Sequence, residues 1–555
     1  MQMRFVIFDI VQSSSHEYIV NRLNPSFLNK RINKQNMAST GLLVISNFKQ
    51  TPQTLKAIEK YVHSLYVHIN VPGSATPVPS WGRFISQLYV DGATLLTSCE
   101  KLNMNILVGP LKQQGTFDSL RLKPIDMIFS DARCTEVCEQ LRQQLQIEKP
   151  PIYLADDVVV TDLCEHQQSK PLDKLQVYEN VVLGGTFDRI HLGHKIFLTQ
   201  AVLRACRRLV VGVTTQKMTK SKILNELILP VEQRISELRE FLQEIDSTLH
   251  YEIVPIDDPY GPTNSDPNMD MIVVSSETLR GGEKINEIRA KNNLKLLDIY
   301  CIDLVENSDR KGPKESKISS SNARIDLLGT RLRQPEYHKN LPSEIYIIGL
   351  TGNIASGKSK MTQRFQSLGA TVMDCDKIAH EIYEPGQVCY DKIIQHFGRS
   401  ILDNGRIDRP KLGTIVFSNP KELERLNDIV WPELLKEVKR RIQGLPIIPG
   451  EIKIVILEAA VLLKAGWDKE VHEVWSMLVP LDEAIRRVVA RNNLTETAAR
   501  DRLASQLTNK ELVARSHVVF SSQWEPEFTQ KQAEKAWNML KEELQQKQLQ
   551  TKHNL

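Results

Sequence analysis

The stretch Val181-Val-Leu-Gly-Gly-Thr-Phe-Asp-Arg-Ile-His-Leu-Gly-His194 decides how this chain is read. Val181 to Leu183 form an apolar run of the kind that makes a buried strand. Gly184, Gly185 and Thr186 follow as a tight turn. His191 to His194 then open a helix whose apolar residues are Ile196, Leu198 and Val202. Two histidines therefore fall in the first turn of a helix, just past the carboxyl end of a strand. Open α/β sheets bind ligands at that end, and the unpaired N–H groups of a helix start attract phosphate. Three readings suit the pair: hydrogen-bonded core histidines, a metal pair on one helix face, and a phosphate clamp for nucleotidyl transfer.

A second strand–loop–helix unit lies further along. Ile345 to Ile348 read as a strand. Gly352-Asn353-Ile354-Ala355-Ser356-Gly357-Lys358-Ser359 fits G-x-x-x-x-G-K-[ST], and the following helix carries Met361, Phe365 and Leu368 on its apolar face. That order is the one a P-loop requires. Backbone N–H groups of residues 352–359 would cradle the phosphates of ATP, Lys358 would reach the β/γ oxygens, and Ser359 would ligate Mg²⁺. Val372-Met373 end another strand at Asp374-Cys375-Asp376. A carboxylate opposite a P-loop can orient and deprotonate an acceptor hydroxyl; an acid in a turn is the plainer alternative.

Working outward, the 555 residues imply three or four domains. Hydrophobic residues are 41% and charged residues 25%, so disorder throughout is excluded. The net charge is +4, which gives no case for a nucleic-acid binder held by bulk charge. No apolar run reaches the length of a membrane span. The eight cysteines include no C-x-x-C pair, so reduced thiols are expected. A metal set drawn from Cys134, Cys138, Cys164 and His166 has the wrong spacing for the common zinc patterns.

The domain reading is α/β throughout. Residues 1–36 form a leader or disordered N-terminus, with Met1 or Met37 as the start. Residues 37–174 form an extra α/β domain of unknown role. Residues 175–330 form a Rossmann-like domain, 331–343 a linker with Pro335 and Pro342, and 344–555 a P-loop kinase domain. In the extra domain 37–174, strands are expected at Gly41–Ser46, Leu65–Val71, Asn105–Val108, Met127–Ser130 and Ile152–Leu154, with a helix over Thr51–Tyr61. The tail from Glu527 is helical, with Trp537, Leu540 and Leu544 as a core-facing stripe.

Several further segments carry a family resemblance. Thr186, His191 and His194 resemble the signature of the T/H-x-G-H nucleotidylyltransferases. Ile318-Ser319-Ser320-Ser321-Asn322-Ala323-Arg324 resembles their I-S-S-T/S-x-x-R segment. Asp258 to Thr263 and Val274 to Gly282 resemble the phosphopantetheine adenylyltransferase branch. Asp374 to His380, and Arg409 to Phe417, resemble segments of the dephospho-coenzyme A kinases. From about residue 175 onward, the chain resembles the bifunctional coenzyme A synthases of animals.

The resemblance implies ATP and Mg²⁺ as cofactors and two consecutive reactions. In the first, Thr186, His191, His194, Lys217 and Arg324 act on the phosphates. Gly184, Gly185, Arg280 and Ser319 to Ser321 help hold the nucleotide, and Lys217 contacts the acceptor's phosphate. In the second, Lys358 and Asp376 are catalytic, Asp374, Asp376 and Arg409 bind the acceptor, and Arg491 is a lid arginine, with Arg487 beside it. Two positions depart from the kinase pattern: Trp431 stands where the family has His, and Glu458-Ala-Ala-Val-Leu-Leu-Lys464 replaces D-x-P-L-L-x-E.

The expected partners are small molecules, 4′-phosphopantetheine, dephospho-coenzyme A and ATP, with no nucleic acid. A protein partner for the N-terminal domain and a mitochondrial association of an otherwise cytoplasmic enzyme are left open. The N-terminal domain reads as a degenerate copy of the nucleotidylyltransferase unit without H-x-G-H, and so without catalysis. The rival readings are a nicotinamide-mononucleotide adenylyltransferase fused to a riboside kinase, and an inactive scaffold. One local excess stands out. Asn307 to Lys339 hold eight basic and four acidic residues around Ser319 to Arg324, which equals the net charge of the whole chain.

Overall fold

A computed structural model describes residues 38–46, 51–59, 61–70, 81–95, 103–112, 121–131, 134–154, 176–303, 312–336, 338 and 340–553. The leader reading of residues 1–36, the alternative start at Met37, and Cys164 with His166 lie outside them. The described residues form two compact units. One runs up to Gly185 and takes in Leu192–Val213 and Ile235–Asp303. The other comprises Thr186–His191, Thr214–Arg234 and the chain from Leu304 onward.

The first unit contains two five-stranded sheets. The N-terminal one is built from β1 (Ala38–Ile45), β2 (Val62–Ile69), β3 (Asn103–Ile106), β4 (Met127–Ser130) and β5 (Ile152–Tyr153), in the order β3-β2-β1-β4-β5. The second uses β6 (Tyr178–Gly185), β7 (Ala205–Thr214), β8 (His250–Ile256), β9 (Met271–Ser275) and β10 (Asp298–Ile302), in the order β10-β9-β6-β7-β8. The pairings of the first sheet are parallel, as are those of β6 with β7 and β9 and of β9 with β10. Numbered within its own domain and read from the other edge, the second sheet has the same order as the first. Both central strands, β1 and β6, are apolar because parallel sheets are covered on both faces; Leu42 to Ile45 and Val181 to Leu183 are buried.

The second unit holds the third sheet. Its strands are β11 (Ile345–Gly352), β12 (Thr371–Asp374), β15 (Lys453–Glu458), β16 (Glu473–Leu478) and β17 (Val518–Ser521), in the order β12-β15-β11-β16-β17. A small hairpin, β13 (Leu402–Asp403) and β14 (Arg406–Ile407), lies apart from it. All eight residues of β11 are buried. The last helix, Pro526–His553, lays Trp537, Leu540 and Leu544 into the core beside Phe365 and Trp475, as its apolar stripe predicts.

Residues 331–343 begin with an anchored residue. Arg331 is almost fully buried and pairs with Glu473 at 2.9 Å and Glu543 at 2.6 Å, and Glu473 also accepts from Tyr346 and Trp475. One guanidinium thus makes charge-assisted bonds to two carboxylates, and such bonds are stronger than neutral ones, so this end of the segment is part of the third sheet's packing. Among the described residues, no helix is long and apolar enough to cross a membrane.

Candidate functional site

The P-loop follows β11. Gly352 has φ 145°, and a Cβ there would lie 2.6 Å from the carbonyl oxygen of Met477; Gly357 has φ 90°. Both conformations require glycine. The helix Lys358–Ser367 starts directly after the loop, which directs its free N–H groups toward any bound phosphate. Lys358 Nζ donates to the carbonyls of Gly352 (2.7 Å) and Asn353 (3.2 Å). Burial lowers the Lys358 pKa; the carboxylates of Glu458 and Asp376 oppose that shift, and the Arg491 cation adds to it. Electrostatically, then, Lys358, Asp376, Glu458 and Arg491 share one site.

Glu458 ends β15, and the sequence reading did not place it among the site residues. Ser359 Oγ donates to Glu458 Oε1 at 2.9 Å, and Thr362 Oγ1 donates to Oε2 at 3.0 Å. A hydroxyl and a carboxylate side by side are hard oxygen donors, the type Mg²⁺ takes. The signal was available: a single acid closing the apolar strand Ile454-Val-Ile-Leu-Glu458, beside the P-loop strand. Asp374 caps the helix Cys375–Glu381 by accepting from Lys377 N–H at 3.1 Å, and exposed Asp376 follows in its first turn. Arg409, also exposed, begins the helix Arg409–Ser418, and its charge reaches Tyr383.

The two arginines of the helix Leu481–Asn492 have different surroundings. Arg491 is exposed in the last turn of the helix Leu481–Asn492. Arg487 is tied down, bonding Glu483, the P-loop carbonyl of Ala355 (3.1 Å), and the hydroxyl and carbonyl of Ser522 (2.7 Å each). It clips the loop to β17's exit. Of the two departures, Trp431 packs against the hydrophobic core and Lys464 Nζ donates to the carbonyl of Ser505.

The second unit also holds Thr186 to His191 of the Val181–His194 stretch. Phe187 and Arg189 both have left-handed backbones, φ 49° and 54°. Non-glycine residues hold that conformation only where the surroundings fix it. The fixing residue is Asp188, fully buried. It accepts from Leu229 N–H, Arg189 Nη1 and Arg324 Nη1, the last at 2.9 Å. Arg324 is 1% exposed, and its other nitrogens donate to Ile223 O and Ser321 Oγ. Its fork therefore braces this turn from within, in place of the open phosphate fork that the sequence suggests.

Ser319 caps the helix Ser320–Leu327 by accepting from Asn322 N–H at 3.2 Å, and Ser320 Oγ lies 3.3 Å from His191 Nε2. The two separate motifs, H-x-G-H and I-S-S-S-x-x-R, thus meet at a hydrogen bond. Burial holds the His191 pKa at about 4, with Asp188 opposing and Arg324 assisting. His191 is a neutral imidazole at pH 7 and can offer a hydrogen bond but not a positive charge. Thr186 Oγ1 accepts from Thr214 Oγ1 at 3.1 Å. Arg234, buried and absent from the sequence reading, donates to the carbonyls of Thr186, Thr214 and Leu229. Nothing in a lone arginine on the Pro230-Val-Glu-Gln-Arg234 segment marks it in advance. Lys217 is exposed in the short helix Gln216–Thr219, which Thr215 caps.

In the first unit, Gly184 and Gly185 end β6, and partly buried His194 lies in the first turn of the helix Leu192–Arg204. Arg280 is exposed at the start of the helix Leu279–Lys291. The Asp258 carboxylate accepts from Tyr260 and Gly261 N–H, forming a turn, and buried Arg289 binds the carbonyls of Thr263 and Asp266. That anchors the Asp258–Thr263 segment.

One stretch of the second unit is bonded both to the P-loop and to the segment around Glu226. Gln506 Oε1 accepts from the P-loop N–H of Ile354 (2.9 Å), and Leu507 O accepts from Asn353 Nδ2 (2.7 Å). Two residues on, Asn509 Nδ2 donates to Glu226 Oε1 (3.0 Å) and Val479 O (2.9 Å). Leu224 and Leu227, flanking Glu226, are buried in the same apolar cluster as Leu512 and Val519.

Residues 346–525 match the family model described as dephospho-CoA kinase, and residues 182–325 match the cytidylyltransferase-like model. A dephospho-CoA kinase of Carboxydothermus hydrogenoformans is 40% identical over 187 residues, 34% of this chain and 90% of that protein. Another, of Geobacter sulfurreducens, is 37% identical over 192 residues, 34% of this chain and 96% of that protein. A solved structure, TT1252 from Thermus thermophilus, is 30% identical, covers 35% of this chain and 96% of its own, and has a TM-score of 0.31. Through its C-terminal region the chain belongs to the dephospho-CoA kinase family, and it joins that kinase to a nucleotidyltransferase domain in one enzyme, the domain pair of a fused coenzyme A synthase.

Proposed function

We propose that the enzyme carries out the last two steps of coenzyme A biosynthesis in sequence. In the first, a 4′-phosphate oxygen of phosphopantetheine attacks the α-phosphorus of ATP. The bond to the bridging oxygen breaks, pyrophosphate leaves, and dephospho-coenzyme A forms. No protein nucleophile is involved, so the work is positioning and stabilisation of charge on the phosphorus oxygens. His191 and His194 donate hydrogen bonds there, Thr186 adds a hydroxyl, Lys217 holds the acceptor phosphate, and Ser319 to Ser321 and Arg280 hold the nucleotide. Arg324 acts through Asp188 and Ser321.

In the second step Asp376 takes the proton of the ribose 3′-hydroxyl. That oxygen attacks the γ-phosphorus of a second ATP, and ADP leaves. Lys358 and Arg491 meet the charge of the transferring group, while Asp374 and Arg409 hold the acceptor. Ser359 and Glu458 would hold Mg²⁺, which when bound offsets the charge of the ATP phosphates.

The observation that carries this reading is the family-matched P-loop, with Lys358 at its helix start and Ser359 bonded to Glu458. The test is chromatography of the products from ATP and 4′-phosphopantetheine, with nicotinamide mononucleotide as a parallel substrate. Coenzyme A, with one pyrophosphate and one ADP per turnover, is expected. A dinucleotide from the second substrate, with nothing from the first, would select the rival enzyme.

A further inference from the structure

The N-terminal domain carries no catalytic motif, yet it grips one particular helix. Leu192–Arg204 contains His194, and the next residue, Lys195, points into the N-terminal domain. Lys195 Nζ donates to Asn103 Oδ1 (2.6 Å), Met104 O (2.8 Å) and Asn105 Oδ1 (2.8 Å). An ammonium has three donors, and all three are taken by successive residues of β3. Desolvation lowers the Lys195 pKa to about 8.

The grip continues further along the same helix. Gln200 Nε2, five residues on, donates to Gly82 O (2.6 Å) and Ser86 Oγ (3.0 Å) of the helix Trp81–Leu95. A Cβ at Gly82 would lie 2.9 Å from Gln200 Oε1, so glycine permits the approach. The end of this clamp is separately tied. Asn105 Nδ2 donates to Glu244 (2.8 Å), Lys112 Nζ to Asp246 (2.7 Å), and Val108 N–H to Ile245 O (2.8 Å). These contacts are polar and specific, and a satisfied polar network rigidifies the elements it joins.

We propose that the N-terminal domain is a built-in positioning module for adenylyl transfer, and that Lys195 is its positioning residue, setting the place of His194 through β3. The proposal rests on the role given to His194 above. Displacing a reacting group by about 1 Å costs on the order of 100-fold in rate, so the module acts on turnover and not on substrate affinity.

The test uses the full chain and measures both steps separately, adenylyl transfer from phosphopantetheine and phosphorylation of added dephospho-coenzyme A. For Lys195→Met, kcat of the first step should fall about 10- to 100-fold, with both KM values within about twofold and the kinase step unchanged. Full kcat in this variant overturns the proposal, as does an equal rise of KM. Should Lys195→Met lose the kinase step too, the chain is misfolded, and Asn103→Ala decides. It removes one exposed acceptor and should lower kcat of the first step alone; no change overturns the proposal. His194→Ala runs alongside. If it abolishes the first step while Lys195→Met does not, the proposal fails and the site reading stands. If His194→Ala is fully active, the site reading fails and takes the proposal with it.

Discussion

The two sheets of the first unit share strand order, parallel pairing and a buried central strand, but only one domain carries an H-x-G-H motif. The difference lies at the carboxyl end of the central strand. After β6 the chain supplies Gly184 to His194. After β1 it reaches Ser46, whose N–H donates to both carboxylate oxygens of Asp131 (2.8 and 2.9 Å), while Asn70 Nδ2 donates to Ser46 Oγ. The N–H group that would face a phosphate in an open α/β sheet is bonded to a carboxylate from the same domain. A sheet of this order creates a crevice, but loop residues decide whether it receives a ligand or is closed from within.

The sharpest way to break the comparison is to remove the chemistry from one sheet at a time. His194→Ala should reduce dephospho-coenzyme A formation by on the order of 10³ and spare the kinase step; Lys358→Ala should do the reverse, so that dephospho-coenzyme A accumulates. Assaying each step alone checks both, and loss of both activities in either variant would contradict the division. Next in size, Glu458→Gln should slow the kinase step about 10- to 100-fold and raise the Mg²⁺ concentration needed for half-maximal rate. An unchanged Mg²⁺ dependence would separate Glu458 from the metal.

On the closed sheet, Asp131→Ala leaves the Ser46 N–H unpaired. About 1–3 kcal/mol of local stability should be lost, measured by hydrogen exchange over β1, with kinase turnover unchanged. The smallest effect is in pH. His191 is held near 4 by burial, below its ordinary 6.5. The unfolded chain therefore takes up that proton first. The stability tied to His191 is complete above about pH 6.5 and declines as pH falls toward 4. The adenylyl step should show no inflection near 6.5 from this residue; one that His191→Asn removes would show the histidine to be solvated.

Both sites were legible in the sequence where chemistry coincides with a strand–loop–helix order. The P-loop needs Gly352 and Gly357 at fixed offsets, and the pairing of His191 with Ser320 was prepared by two hydroxyl- and histidine-bearing motifs. Residues that act by bracing were not legible. Arg234, Arg289 and the inward turn of Arg324 depend on carbonyls and carboxylates brought from distant positions. A single sequence shows an arginine without showing what its fork will meet. The Trp81–Leu95 helix was missed as well, because Gly82 and Gly92 interrupt its helical pattern while tertiary contacts hold it.

The stretch from Gln506 to Asn509 has a consequence for how the molecule comes apart. It is bonded to the P-loop on one side and to Glu226 on the other, and Leu224 and Leu227 are buried with the kinase core. Segment 223–229 therefore belongs to the kinase's cooperative melting unit. A nucleotide that binds only the folded P-loop adds its binding free energy to that whole unit. Protease cleavage within 223–229 should accordingly slow when ATP saturates the kinase, even in a chain whose His194 is alanine. Expressing the kinase without that segment should expose an apolar seam that the intact chain never shows to water.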